Sequence, residues 1–293
     1  MQHPLESART LEIQAIDLEG QTLRVGIRHG SSDHPPLVIF NGIGANLELL
    51  APFIDELQDV SVIIFDVPGV GGSPAPQLPY RFSTLATLTD KLLSRLGFDG
   101  PVDALGVSWG GALAQQFAQM HPVRCRRLVL AATSPGVIMV PSKLSVFAQL
   151  MVPRRYSDPA YLAEIGGDIY GGAYRRNPEL LEEHRRHIQA PKGHGYFYQL
   201  LAMWGWSSLP WLRTLPQTTL VIHGDDDPIV PLINAEILAA RIRHATLHVI
   251  DDGHLFLVSR AKEVAVTVHS FLCGDLVEPE IQMEDRSLEY EAQ

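Results

Sequence analysis

Gly106-Val107-Ser108-Trp109-Gly110-Gly111 closes an apolar run, Val102 to Val107, and opens onto Ala112-Leu113-Ala114-Gln115-Gln116-Phe117-Ala118-Gln119-Met120, which reads as a helix. A strand that turns straight into a helix with Gly-x-Ser-x-Gly at the corner is a nucleophile elbow. The serine there sits in a strained backbone conformation, and the glycines two positions away lack bulk where strand and helix crowd together. The pentapeptide alone discriminates only moderately. With 24 glycines and 17 serines in 293 residues, chance supplies it in roughly one chain in nine of this composition. Its place between a strand and a helix, with partners downstream, gives it weight.

Working outward, Leu11 to Ile16 and Gln21 to Arg28 alternate and are joined by Asp17-Leu18-Glu19-Gly20, a hairpin signal. Short buried strands are expected over Pro36 to Phe40 and Val60 to Asp66, with a helix from an Asn46 cap to about Leu57 between them. Ser83 starts an amphipathic helix that Gly97 ends. After the elbow come strands over Arg127 to Ala132, Thr218 to His223 and Ala245 to Asp251, with helices from about Leu232 to Ile242 and from about Arg260 to Phe271. Strands alternating with helices imply a mostly parallel sheet covered on both faces, with an antiparallel hairpin at one edge. The expected class is α/β, an α/β-hydrolase fold.

Between Pro135 and Leu215 the alternation stops. A stretch of roughly 80 residues is too long for a plain connection, so it reads as an inserted helical cap. The expected organisation is a core of residues 1–134 and 216–273, a cap of 135–215, and an acidic, disordered tail of 274–293. The cap holds six of the eight tyrosines, three of the four tryptophans, Phe147 and Phe197. Most of these suit a small core of the cap itself, while its inner face would wall an apolar substrate site above the serine.

A serine hydroxyl is a poor nucleophile until a base takes its proton and an acceptor orients that base. In this fold the partners follow in the order Ser, Asp, His, each on the loop after a later strand. His223-Gly224-Asp225-Asp226-Asp227-Pro228-Ile229-Val230-Pro231 places three carboxylates just past a strand. Asp227 best fits the spacing Gly-x-x-Asp-x-x-Val-Pro, Asp226 is the fallback, and Asp225 is assigned to capping or solvent. His254 follows the last strand in Asp251-Asp252-Gly253-His254, where the general base is expected. The oxyanion needs two donors: the backbone N–H of Trp109 and one from the loop Asn41-Gly42-Ile43-Gly44-Ala45-Asn46, with Ile43 the choice. Asn41 and Gly42 are expected to touch substrate.

Rival readings of the same residues are weaker. Gly42-x-Gly44 followed by Asp66 partly mimics a dinucleotide fingerprint, but Leu47 stands where its third glycine belongs. Asp66-Val67-Pro68-Gly69-Val70-Gly71-Gly72-Ser73 contains no lysine and reads as a tight structural loop rather than a phosphate cradle. His184 and His187 lack a third ligand, so no metal site is expected. Nothing in the chemistry calls for a cofactor.

The formal charge of -10 argues against a nucleic-acid footprint. From Gly274 onward the net charge is -6, leaving -4 for the rest. No apolar run approaches a membrane span, and the first residues lack a basic region followed by an apolar one, so neither a transmembrane segment nor a secretory signal is expected. Cys125 and Cys273 do not make a disulfide framework. The expected location is cytoplasmic. Oligomeric state is not legible.

With these residues in place, the stretch from about Leu11 to Leu272 resembles the intracellular medium-chain-length poly(3-hydroxyalkanoate) depolymerases. The resemblance is carried by Ile39 to Leu49, Phe65 to Gly72, Gly106 to Phe117, Gly224 to Pro228 and Asp251 to Leu257. It implies a triad of Ser108, Asp227 and His254, and hydrolysis of a stored polyester at the granule surface. Related polymerising enzymes carry cysteine in the elbow, so Ser108 implies cleavage. The acidic tail departs from the pattern. A small-molecule carboxylesterase or thioesterase would use the same triad, as would a carbon–carbon bond hydrolase, and a granule-binding member with incidental activity is a further alternative.

Overall fold

The computed structural model describes residues 11–31, 34–57, 59–190 and 193–274; the acidic run beyond Gly274 lies outside them. Strands β1 (Glu12–Leu18), β2 (Gln21–Arg28), β3 (Leu37–Phe40), β4 (Val62–Phe65), β5 (Val102–Val107), β6 (Cys125–Ala131), β7 (Thr218–Gly224) and β8 (Ala245–Ile250) form one sheet. Its order is β1-β2-β4-β3-β5-β6-β7-β8. β2 pairs antiparallel with both β1 and β4, and every other neighbour is parallel. The first hairpin turns through Glu19 and Gly20 at φ 55° and 91°. Two successive left-handed residues match the twist of the flanking strands, which carries β1 two residues past the expected Ile16.

Because side chains alternate along a strand, β3 sends Val38 and Phe40 to one face and Leu37 and Ile39 to the other. On the first face pack α2 (Phe82–Arg95), α3 (Trp109–Met120) and α10 (Ile233–Arg241), through Leu85, Leu113, Phe117 and Leu238. On the second pack α1 (Ala51–Glu56) and α12 (Ala261–Cys273), through Phe53, Ile54, Val264 and Phe271. The sheet is thus covered on both sides, as a mostly parallel sheet requires.

The expected helix from Asn46 to Leu57 is broken in two. A 3-10 turn over Leu47–Leu50 precedes α1, which starts with Pro52 at its N-terminus. Proline suits a first helical turn and disrupts an interior. Asn46 caps nothing with its side chain; it donates to Glu48 Oε2 (2.6 Å) and accepts the N–H of Gln189 (3.1 Å). The last helix, α12, starts beside Arg260 as expected, and a single short turn, α11 (Phe256–Ser259), precedes it.

Between β6 and β7 the chain forms α4 (Leu144–Leu150), α5 (Arg154–Ser157), α6 (Pro159–Tyr170), α7 (Gly172–Arg176), α8 (Glu179–His187) and α9 (Gly195–Met203). Val146, Leu162, Ile165, Ile169, Tyr170, Tyr174 and Leu181 form a separate small core there. Bare backbone anchors this segment to the sheet at two places. A Cβ on Gly69 would lie 2.5 Å from Gly195 Cα, and one on Gly253 would lie 2.6 Å from the carbonyl carbon of Gly171.

Candidate active site

Ser108 is the hinge between β5 and α3, with φ 54° and ψ -117°. Such a conformation costs on the order of 1–3 kcal/mol and persists only when its surroundings over-determine it. Here they do. The Ser108 N–H donates to Ala131 O (2.8 Å), and its carbonyl accepts from Gly111 N–H (2.9 Å) and from the Thr133 hydroxyl (2.6 Å). The glycines are needed for space: a Cβ on Gly106 would lie 2.6 Å from Gly111 Cα, and one on Gly110 2.5 Å from Asn41 O.

Asp227 and His254 arrive from the ends of β7 and β8. The Asp227 carboxylate is buried, its Oδ1 accepting the N–H groups of Ile229 and Val230 (both 2.9 Å) and its Oδ2 facing His254 Nδ1 at 2.7 Å. A carboxylate can only accept, so Nδ1 carries the proton and Nε2 is left as the basic nitrogen. The backbone N–H of His254 donates to Tyr170 O (2.7 Å), so the imidazole is fixed from the sheet and from α6 at once. Among the three aspartates the division of labour is physical. Asp225 is exposed, and Asp226 accepts the Gly172 N–H (2.7 Å) and pairs with Arg175. Only Asp227 faces an imidazole across a hydrogen bond of this length.

His223 was not singled out by its sequence context, yet it is buried beside the pair. Its Nε2 lies 2.7 Å from Val230 O and 3.4 Å from Asp227 Oδ2. Burial lowers its proton affinity, against the pull of Asp227. It therefore stays neutral and steadies the Asp227 loop as a donor. Asp252, also fully buried, accepts from the Ser259 hydroxyl (2.6 Å) and from the N–H groups of Gly253 (2.7 Å) and Ala173 (2.5 Å), tying the His254 loop to α7.

Ile43 and Trp109 both line the same cavity as Ser108 and His254. Among the described residues neither donates its backbone N–H to an acceptor. Gly42 also borders the serine, a Cβ on it lying 3.8 Å from Ser108 Cβ. Asn41 lines the cavity, but its carboxamide is spent within its own loop, on Asn46 O and Gly42 N–H (both 2.8 Å). The loop is held from above by α9: Gly44 N–H donates to Gln199 Oε1 (2.8 Å), and the Trp109 indole N–H donates to Gln199 O (2.9 Å).

The cavity measures about 490 Å³ and is walled mainly by apolar side chains, among them Leu50, Val107, Phe147, Met203, Trp204 and Leu257. That size is typical of a small-molecule site. The buried Asp66 donates no such room: it accepts the Leu47 and Gly72 N–H groups (both 2.8 Å) and pairs with Arg24. Its carboxylate thus takes the helix-start N–H that a pyrophosphate would need, which leaves no dinucleotide cradle in this loop. Among the described residues no cluster of three or more His, Cys, Asp and Glu could hold a metal ion. Among the described residues no helix is long and apolar enough to cross a membrane.

Residues 35–261 match the family described as alpha/beta hydrolase fold. The chain belongs to the α/β-hydrolase family. Within that family it is 52% identical, over 88% of its length and 92% of the relative's, to the poly(3-hydroxyalkanoate) depolymerase of Ectopseudomonas oleovorans. It is 28% identical to 3-oxoadipate enol-lactonase 2 of Acinetobacter baylyi, over 77% of this chain and 84% of that one. Among solved structures, the enol-lactonase of Burkholderia xenovorans superposes with a TM-score of 0.76 at 25% identity, covering 89% of this chain and 100% of that one.

Proposed function

We propose that this α/β-hydrolase cleaves the backbone esters of an intracellular medium-chain-length poly(3-hydroxyalkanoate), releasing 3-hydroxy acids or short oligomers. One observation carries the reading: the Asp227–His254 pair and the strained Ser108 open on a single apolar cavity, in a chain 52% identical to a poly(3-hydroxyalkanoate) depolymerase.

In this mechanism His254 Nε2 takes the Ser108 proton as the hydroxyl oxygen attacks the ester carbonyl, and Asp227 stabilises the imidazolium. The N–H groups of Ile43 and Trp109 receive the oxyanion. The alkoxide leaves with the proton from His254, and water, activated by the same imidazole, frees the acyl group. The cap from 135 to 215 provides the roof of the site. An apolar polymer bearing alkyl side chains suits such a lining.

Granule docking draws support from the surface of the cap. Leu144 and Trp204 are each 82% exposed, and Phe147, Val152, Phe197, Leu201 and Ile138 are also exposed. Large apolar side chains gathered on one segment mark a contact surface, here for a water-insoluble polyester.

The test is release of 3-hydroxy acids from an amorphous medium-chain polyester emulsion, with Ser108→Ala in parallel and a short nitrophenyl ester as control. Release by the wild type and loss of about a thousandfold or more in Ser108→Ala, with folding intact, is the expected result. Cleavage of the small ester alone moves the assignment to a carboxylesterase.

A further inference from the structure

One charge in the cavity wall has no partner of opposite sign among the described residues. Arg155, in α5, is only 3% exposed, yet it borders the cavity. A guanidinium cannot shed its proton inside a protein, and a buried cation is ordinarily paired with an acid. The hydrogen-bond partners of Arg155 among the described residues are a backbone carbonyl and two phenol hydroxyls. It donates to Leu150 O (3.2 Å), to the Tyr156 hydroxyl (3.0 Å) and to the Tyr196 hydroxyl (3.1 Å), and stacks against both rings at 4.4 and 5.6 Å. No carboxylate whose side chain is described forms an ion pair with it; the nearby Asp158 pairs with Arg154, and Glu182 with Arg185. Burial pushes the Tyr196 hydroxyl up to about 12 and Tyr170 higher still, so neither serves as a counter-ion.

The position of this cation is also defined. Tyr156, which accepts from Arg155, donates onward to Ile43 O. Ile43 is the residue proposed to bind the oxyanion, so two hydrogen bonds link the guanidinium to the backbone carbonyl of that residue, in the wall of the same cavity.

We propose that Arg155 is the counter-ion for a carboxylate on the substrate, and that the cavity selects esters bearing a free acid on their alcohol side. This rests on the ester-hydrolase reading above. In a 3-hydroxyalkanoate chain the one free carboxylate ends the alcohol-side unit, four bonds beyond the last ester carbonyl. The favoured substrates are therefore carboxyl-terminal units and short oligomers. When the scissile C–O bond breaks, the alkoxide takes the proton held by His254. The released 3-hydroxy acid carries its carboxylate off Arg155, and water restores Ser108.

The experiment compares a 3-hydroxyoctanoate dimer as the free acid with the same dimer as its methyl ester. Wild type should show a KM for the acid lower by about thirtyfold or more, the scale on which a buried charge pair acts. Arg155→Gln should lose that preference, and Arg155→Lys should recover part of it. Equal KM values in the wild type, or equal loss of kcat on both dimers in Arg155→Gln, overturn the proposal, the second outcome marking Arg155 as a brace for its tyrosines. A second measurement needs no variant. Against nitrophenyl butyrate, 3-hydroxyoctanoate should inhibit wild type competitively about tenfold better than 3-hydroxyoctanamide, and equal inhibition refutes the site. If the acid outcompetes the amide while the polyester emulsion stays intact, the polymer assignment fails and Arg155 stands. If the emulsion is cleaved and both inhibit alike, Arg155 fails and the assignment stands.

Discussion

The backbone carbonyl of Gln199 accepts the indole N–H of Trp109 at 2.9 Å, while its side-chain Oε1 accepts the N–H of Gly44 at 2.8 Å. One residue of α9 thereby spans the two segments whose free N–H groups, on Ile43 and Trp109, are proposed to meet the oxyanion. Gln199→Ala keeps the bond to Trp109 and removes the one to Gly44. Since catalysis of this kind depends on donors already aimed at the developing charge, kcat should fall about tenfold with KM nearly constant. Steady-state kinetics on a nitrophenyl ester read the split, and an unchanged kcat would show that the loop holds its shape unaided.

The adjacent aspartates should separate cleanly. Asp227→Asn presents an amide to His254 Nδ1 and disfavours the productive tautomer, so kcat should drop about 10³- to 10⁴-fold. Asp226→Asn loses a half-exposed ion pair to Arg175 but retains an acceptor for Gly172. Such pairs stabilise by about 1 kcal/mol or less, so a slightly lower melting temperature with kcat within about threefold is expected. A large kcat loss in Asp226→Asn would reassign the orienting acid.

Gly110→Ala tests the elbow as packing rather than chemistry. The added methyl would press on the carbonyls of Phe40 and Asn41, at 2.5 Å from the latter. Overpacking of this kind costs about 1–3 kcal/mol. Chemical denaturation should show that loss, and a neutral result would mean that α3 can slide away from β3.

His223 should register in the pH dependence of stability. Burial holds its folded-state proton affinity below the ordinary 6.5. As pH falls through that value, the unfolded chain binds a proton that the folded one refuses, so folding stability declines toward pH 5. Above pH 7 the contribution is fully present. Thermal melts of wild type and His223→Gln from pH 5 to 8 should show a shallower acid slope in the variant; parallel slopes would remove His223 as the source.

Leu144 and Val152 are exposed and lie outside the cavity wall. Replacing both with glutamate should weaken sedimentation with polyester particles about tenfold or more, because each charge must be stripped of water at an apolar surface. Nitrophenyl ester turnover should be unaffected. Undiminished sedimentation would place the docking surface elsewhere.

The sheet, the elbow and the Asp227–His254 pair were legible because each rests on local chemistry: β-branched runs, Gly106 and Gly110 around Ser108, carboxylate and imidazole just past strand ends. The break at Leu47–Leu50 had a local signal too, in Pro52, but Asn46 offered a competing cap that its contacts with neighbouring Glu48 and distant Gln189 withdrew. Arg155 and Gln199 carry no sequence signature. Their roles come from groups distant in the chain, Arg155 meeting Tyr196 and Gln199 meeting Gly44, 41 and 155 residues away. His223 stood in the quoted motif, but only its burial beside Asp227 distinguishes it from a surface histidine.

The contacts of Gly69 with Gly195 and of Gly253 with Gly171 have a kinetic consequence for a polymeric substrate. Where main chain lies directly on main chain, there is no side chain to rotate aside, and the segment between β6 and β7 is pinned at Gly171 and at Gly195. For the polyester substrate proposed above, this favours entry of one chain terminus through the apolar rim over engulfment of a long chain. Turnover on a fixed mass of that polymer is then expected to scale with the number of chain ends in it, with shorter chains consumed faster than long ones of the same composition.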